Sequence, residues 1–228
     1  GATAPSSVIY STGFDNSAET IQWQIAGGGA TVLGVPSWSF DATPATVGAS
    51  GPDAFVSAPN SLNFNNGTDF ADPNNNPVSG SITTPLIDIS CATNVTIEFS
   101  CVYETETQGT SYDKRIVEIL DNVGTVLASF QLATSGATSP EATCGQMKTW
   151  HTHIFNVPAG TQAFSVRFTF DSVDGIANNY AGWFIDDFTV KGVLPESPGP
   201  EAGGGGDTTK TITPQKGRDT NRGTFEPV

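Results

Sequence analysis

Apolar and polar side chains alternate with a period of two along most of the first 193 residues. Val95, Ile97, Phe99, Cys101 and Tyr103 fall on one side of a run whose other side carries Thr96, Glu98 and Ser100. Phe164, Val166, Phe168 and Phe170 alternate with Ser165, Arg167 and Thr169. Val126, Ala128, Phe130 and Leu132 share a face, and Ile21, Trp23 and Ile25 are separated by Gln22 and Gln24. Successive side chains of a strand point to opposite faces, so each run predicts an antiparallel strand with one face in a core. Shorter strands are predicted at residues 8–10, 38–40, 61–64, 116–120 and 150–155, and no segment shows a helical period. Turn-forming Asn-Gly, Asp-Asn and Pro-Asn pairs punctuate the runs. About ten strands at this spacing predict an all-β fold, a two-sheet antiparallel β-sandwich of the jelly-roll type.

The pattern stops near residue 193. Residues 194–228 hold five Pro, seven Gly and few apolar side chains, so they predict an extended tail after a 1–193 sandwich. Residues 208–214 (TTKTITP) are the tail's best strand candidate. With Thr208 and Lys210 in that strand, and with Ile212 and Phe225 as apolar anchors, the tail can be donated to a neighbouring sheet edge. The expected function is therefore a non-catalytic structural or adhesion subunit that self-associates, in a fibre or a surface layer. The alternative is a carbohydrate- or surface-binding module with a glycan partner, using some of Trp23, Trp38, Trp150, Trp183, Tyr112 and Tyr180 as stacking platforms.

Charge narrows the partners. The chain of 228 residues carries a formal charge of −14, and residues 1–193 account for −13 of it, with 5 basic against 18 acidic side chains. Such a domain repels phosphate backbones, which excludes nucleic acid. No stretch approaches the roughly 18 apolar residues of a membrane span. Scarce Lys and Glu with abundant Thr, Ser and Asn fit a secreted, extracellular protein. No GxSxG, HExxH, GxGxxG or phosphate-loop motif is present. Glu104 and Glu106 share a strand face as a conceivable glycosidase pair, but they run into a polar loop, where solvation or cation binding is the plainer reading.

Three cysteines allow one disulfide and one free thiol. A strand joining Cys91 to Cys101 spans roughly 33 Å, far beyond disulfide reach, so Cys144 is expected to pair with one of them, or Cys101 stays a buried thiol. His151 and His153 form an HxH on a predicted strand, which sets both imidazoles on one face as two possible ligands of zinc or copper. The plainer expectation is an exposed pair opposite Trp150, Thr152 and Ile154. Asp186 and Asp187 interrupt the apolar run GWFIDDFTV, and strand parity sends them to opposite faces. A carboxylate drawn inward needs a cation, either Arg167, Lys191 or a metal ion, and an oxygen-rich, base-poor body favours calcium.

The segments GFD (13–15), SLNFNN (61–66), TTPLIDIS (83–90), TIEFSCVYETE (96–106), TWHTHIFNV (149–157) and FDSVDGIANNYAGWFIDDFTV (170–190) resemble the MAM-like jelly-roll domains of secreted bacterial proteins. The resemblance runs from residue 8 to residue 190. It implies a sandwich whose first and last strands lie together, with a structural calcium held by Asp15 and by Asp186 or Asp187. Asp113 matches a recurrent acid and is implied as a further ligand. The family is mostly non-catalytic and serves adhesion or binding.

Overall fold

A computed structural model of the protein describes residues 5–28 and 34–195. Its strands are β1 (Ser7–Thr12), β2 (Gln24–Gly27), β3 (Ser37–Asp41), β4 (Ser61–Asn65), β5 (Ser79–Thr83), β6 (Ile87–Asp88), β7 (Thr93–Glu104), β8 (Lys114–Leu120), β9 (Val126–Leu132), β10 (His151–Asn156), β11 (Ala163–Asp171) and β12 (Gly182–Val193). They form two six-stranded antiparallel sheets. The first runs β10-β7-β12-β4-β3, with β1 also on β12; the second runs β2-β5-β11-β8-β9, with β6 on β11. The chain crosses repeatedly between the sheets, as in a jelly roll. The proposed tail residues Thr208, Lys210, Ile212 and Phe225 lie outside the described residues.

Between the sheets lies an aromatic core. Phe64 stacks on Phe170, Phe99 meets Phe168 edge-on, and Trp38 packs against Trp183. Trp23, Trp38 and Trp183 are all buried, so three of the four tryptophans belong to the core and not to a stacking platform. Gly80 is a consequence of this packing. A Cβ there would stand 2.8 Å from the Phe64 ring, and the Gly80 carbonyl accepts from Trp38 Nε1 at 3.0 Å.

β12 carries the feature that organises the first sheet. Trp183 and Ile185 face the core, and the next core residues are Phe188 and Val190. The spacing from Ile185 to Phe188 is one residue longer than strict alternation allows. The extra residue is a bulge at Asp186 and Asp187, where the register with β7 shifts and Asp187 adopts φ +52°. Below the bulge β12 pairs with β4, and above it with β1.

The structure departs from the sequence reading in several places. Residues 17–20 form a single helical turn (α1, Ser17–Thr20) where none was expected, capped by Asn16, whose side chain accepts from Ala18 N at 2.7 Å. Ile21 follows it and is exposed instead of beginning a strand. β5 and β6 were not predicted. β10 turns its histidines inward and Ile154 outward, the reverse of the expected exposed pair, because Phe155 takes the core position and stacks on Phe130 at 4.2 Å. No disulfide forms: Cys91, Cys101 and Cys144 are all free, Cys91 exposed and the other two buried.

Candidate functional site

The outer faces of the two sheets are finished differently. On the first, residues 42–60 fold over the strands and bury Val47 and Ala54 against Val102, Ala181 and Phe184. Trp150 joins the cover, donating from Nε1 to the Asp53 carbonyl at 3.0 Å. The second sheet has no such roof among the described residues. Strand register lines its outer side chains up in two rows. One row reads Gln24, Thr83, Arg167, Glu118, Ser129; the next reads Ala26, Ser81, Thr169, Ile116, Gln131. Small residues in the middle leave a shallow groove of about 460 Å³ along Gly27, Ser79 and Ser81. Arg167 Nε donates to Glu118 Oε2 at 2.7 Å within it. The face thus offers a guanidinium, a carboxylate, hydroxyls and amides at fixed spacing, and one apolar contact at Ile116. That donor and acceptor set suits a polyhydroxylated ligand.

Three of the four predicted metal-binding aspartates gather at Ser57. Asp186 is fully buried on the covered face. Its Oδ2 accepts from Val56 N at 2.7 Å and Ser57 N at 2.8 Å, and its Oδ1 accepts from Asp187 N at 2.7 Å. Burial pushes its pKa up to about 6 against the opposing pull of these amides. Ser57 Oγ donates to Asp187 Oδ1 at 2.8 Å, and Asp15 Oδ1 accepts from Asn60 N at 3.0 Å. Neither expected basic partner is here: Arg167 pairs with Glu118 and Lys191 with Glu98. No base neighbours this acid group, and no three carboxylates bring an oxygen each within 4.8 Å of one another, among the described residues.

Asp113 stands apart from this group. Its Oδ2 accepts from Glu106 N at 2.6 Å, its Oδ1 is buried with no hydrogen-bond partner among the described residues, and burial raises its pKa to about 7. Two residues on, Arg115 is fully buried, donating to Thr105 Oγ1 and to the Asp113 carbonyl, with its guanidinium 3.9 Å over the Tyr103 ring. Glu104 and Glu106 diverge, since β7 ends at Glu104; Glu104 pairs with Lys148 at 2.7 Å and accepts from Ala181 N. On β10 the two imidazoles meet the two buried thiols, Cys101 on His151 and Cys144 on His153. Burial lowers the His153 pKa to about 4, so the ring is neutral.

Sequence reasoning missed the open face, because its rows are assembled from five strands. The polar alternation Ser165, Arg167, Thr169 was its only local trace.

No family model and no curated protein sequence matches the chain. Among solved structures, TmCBM61 in complex with β-1,4-galactotriose is 15% identical, with 76% of this chain and 90% of that chain covered and a TM-score of 0.46. The K1 cleaved adhesin domain of Lys-gingipain from Porphyromonas gingivalis is 14% identical over 82% of this chain and 98% of that one, at 0.46. The CBM22-1 xylan-binding domain of Paenibacillus barcinonensis Xyn10C is 12% identical over 85% and 99%, at 0.43. These likenesses are too distant to bear on function, and the fold assignment rests on the sheets themselves.

Proposed function

We propose that this protein is a non-catalytic, extracellular binding module that takes neutral glycans on the outer face of its second sheet. The observation that carries the reading is the asymmetry of the two outer faces: one is roofed by residues 42–60, the other presents an uncovered polar groove built on Arg167, Glu118, Thr169 and Ser81. Sugar hydroxyls are matched by such alternating donors and acceptors, and the charge of −14 disfavours anionic polymers. With three of the four tryptophans in the core and Trp150 in the cover of the other sheet, binding is weak and governed by hydrogen bonds. The MAM-like resemblance belongs with this proposal. Tail-mediated assembly has no support from the described residues.

The test is calorimetric titration of the full chain with a panel of soluble neutral and acidic polysaccharides. A neutral glycan should bind, and Arg167→Ala with Thr169→Ala should abolish binding while lowering the melting temperature by no more than about 4 °C. Silence across the panel, or binding that survives both substitutions, removes the proposal.

A structural calcium beside Ser57 is the companion proposal, with Asp15 and Asp187 as carboxylate ligands and Asp186 anchoring the cover behind them. Its support is the base-free acid group and the absence of a hydrogen bond to Asp15 Oδ2 or Asp187 Oδ2 among the described residues. Calcium bound only by the folded form raises the melting temperature. An unchanged melting temperature on moving from millimolar calcium to EGTA eliminates the site.

A further inference from the structure

The cluster where β10 meets β7 is not used by the glycan reading, and its geometry is specific. His151 lies directly opposite Cys101 in the β7–β10 register, both on core-facing positions, and His153 follows two residues on. Cys144 arrives from the segment after β9, held by its N–H to the Ala133 carbonyl at 2.9 Å. Cys101 Sγ is 3.4 Å from His151 Nε2, and Cys144 Sγ is 3.8 Å from His153 Nε2. The ligand atoms of Cys101, His151 and His153 all lie within 4.8 Å of one another, and Cys144 Sγ stands beyond that distance from at least one of them. A tetrahedral ion about 2.3 Å from sulfur and about 2.0–2.1 Å from nitrogen sets neighbouring S and N roughly 3.5–3.6 Å apart. The two observed S···N distances bracket that edge.

The imidazoles are also oriented for the task. His151 Nδ1 sits 2.9 Å from the Thr149 carbonyl, and His153 Nδ1 sits 2.7 Å from the Glu141 carbonyl. A carbonyl only accepts, so each Nδ1 carries the proton and each Nε2 presents a lone pair to the thiols. Backbone carbonyls holding the distal nitrogen are the usual outer shell of a metal-bound histidine. Charge adds a second, independent observation. Arg115 is fully buried beside Cys144, its Nε has no partner, and it makes no salt bridge with a carboxylate among the described residues. A thiolate at Cys144 would stabilise this buried cation, as the nearby Asp113 carboxyl does when ionised.

We propose that Cys101, His151 and His153 hold one closed-shell thiophilic ion, zinc(II) or copper(I), and that Cys144 closes in on it from its place beside His153 as the fourth, tetrahedral ligand. Each thiol gives its proton to solvent as the ion binds, and the neutral imidazoles lose none. Two thiolates cancel zinc(II) and leave Arg115 to the surrounding carbonyls. With copper(I) the four-ligand site carries a single negative charge, which Arg115 balances. Half-buried His151 is the entry point, and Gly145 keeps it open, since a Cβ at residue 145 would stand 3.2 Å from His151 Nδ1. The site ties the segment between β9 and β10 to the first sheet, on the core side of that sheet.

The experiment uses the full chain, reduced and stripped of metal under anaerobic conditions, then titrated with cobalt(II), zinc(II) and copper(I). One equivalent of cobalt should give the intense visible bands of a tetrahedral site and a near-ultraviolet thiolate-to-metal absorption, both erased by zinc. Binding of copper(I) at one equivalent without a cobalt spectrum identifies copper as the ion and equally supports the site. In either case thiol reagents should reach only Cys91 in the loaded protein. Cys144→Ser and His151→Gln should weaken binding at least about tenfold. His151 is only half-buried, so that variant tests the site in a folded chain, verified by circular dichroism. No stoichiometric binding of any of the three ions by folded protein overturns the proposal. So does a Cys101–Cys144 disulfide that re-forms from the reduced chain in air when zinc is present.

Discussion

The two outer faces of this sandwich are built from the same alternation and end in opposite states. On the first sheet the outward positions of β7 and β12 include Val102 and Phe184, and residues 42–60 close over them. On the second sheet the outward positions are Ser, Thr, Arg, Glu and Gln apart from Ala26 and Ile116, and solvent reaches them. Covering an apolar outer face gives the first sheet in effect a second small core. The contrast shows where a ligand can be received without displacing the protein's own chain. It also explains Asp186: the bulge in β12 aims a carboxylate at the underside of the cover, where it accepts the amides of Val56 and Ser57 that the cover could not otherwise satisfy.

This contrast can be broken by substitution. The largest effect is expected from Phe184→Ala, which empties the small core; urea unfolding should show a loss of about 3–5 kcal/mol, against under about 1.5 kcal/mol for Ile116→Ala on the open face. Similar losses on both faces would mean the cover contributes little. Asp186→Ala comes next. It strands the Val56 and Ser57 amides and should cost about 2–4 kcal/mol, whereas Asp186→Asn retains an acceptor and should cost less.

A smaller effect follows from pH. Asp186 and Asp113 have folded pKa values raised to about 6 and about 7 from 3.8. The folded chain therefore holds more protons than the unfolded chain between about pH 4 and pH 7. Their contribution is complete below pH 4 and is lost as pH rises through 6 to 7. In chelator, unfolding free energy should fall from pH 5 to pH 8 by on the order of 2 kcal/mol, a figure reduced for screening by the surrounding polar groups. Asp113→Asn and Asp186→Asn together should flatten that slope; a slope unchanged in the double variant would place its origin elsewhere. The smallest effect is expected at Arg167→Ala, which removes a partly exposed ion pair worth at most about 1 kcal/mol. Glycan binding should respond to it far more than stability does.

The sandwich itself was legible because β7 and β11 bury alternate residues with few interruptions. β5 was not legible. Its sequence SGSIT has one large apolar side chain, and its place beside β11 depends on Gly80 yielding room to the Phe64 ring. Ile21, Trp23 and Ile25 mimic a strand, yet only Trp23 is buried, because the Asn16-capped turn of helix sets the path of the chain first. The HxH motif was visible, but its facing was not. Ile154 and Phe155 are consecutive apolar residues, and only the space beside Phe130 decides which goes inward. Of the predicted acids, Asp15, Asp186 and Asp187 come together at Ser57, a residue no local pattern singled out, while Asp113 is drawn to Glu106. Of the two readings of the cysteines, the disulfide is absent and Cys101 is the buried thiol, and the imidazoles take the positions beside both buried thiols.

The pairing of β1 with the upper half of β12 sets Ser7 beside Gly192, so the chain enters and leaves the sandwich at neighbouring points on one edge. A module closed in this way can be spliced into a surface loop of another domain without stretching it. The same geometry fixes its response to tension. A pull on the two ends loads the β1–β12 rungs one after another, as in a zipper, so the first strand peels away at low force while the aromatic core behind it stays shut.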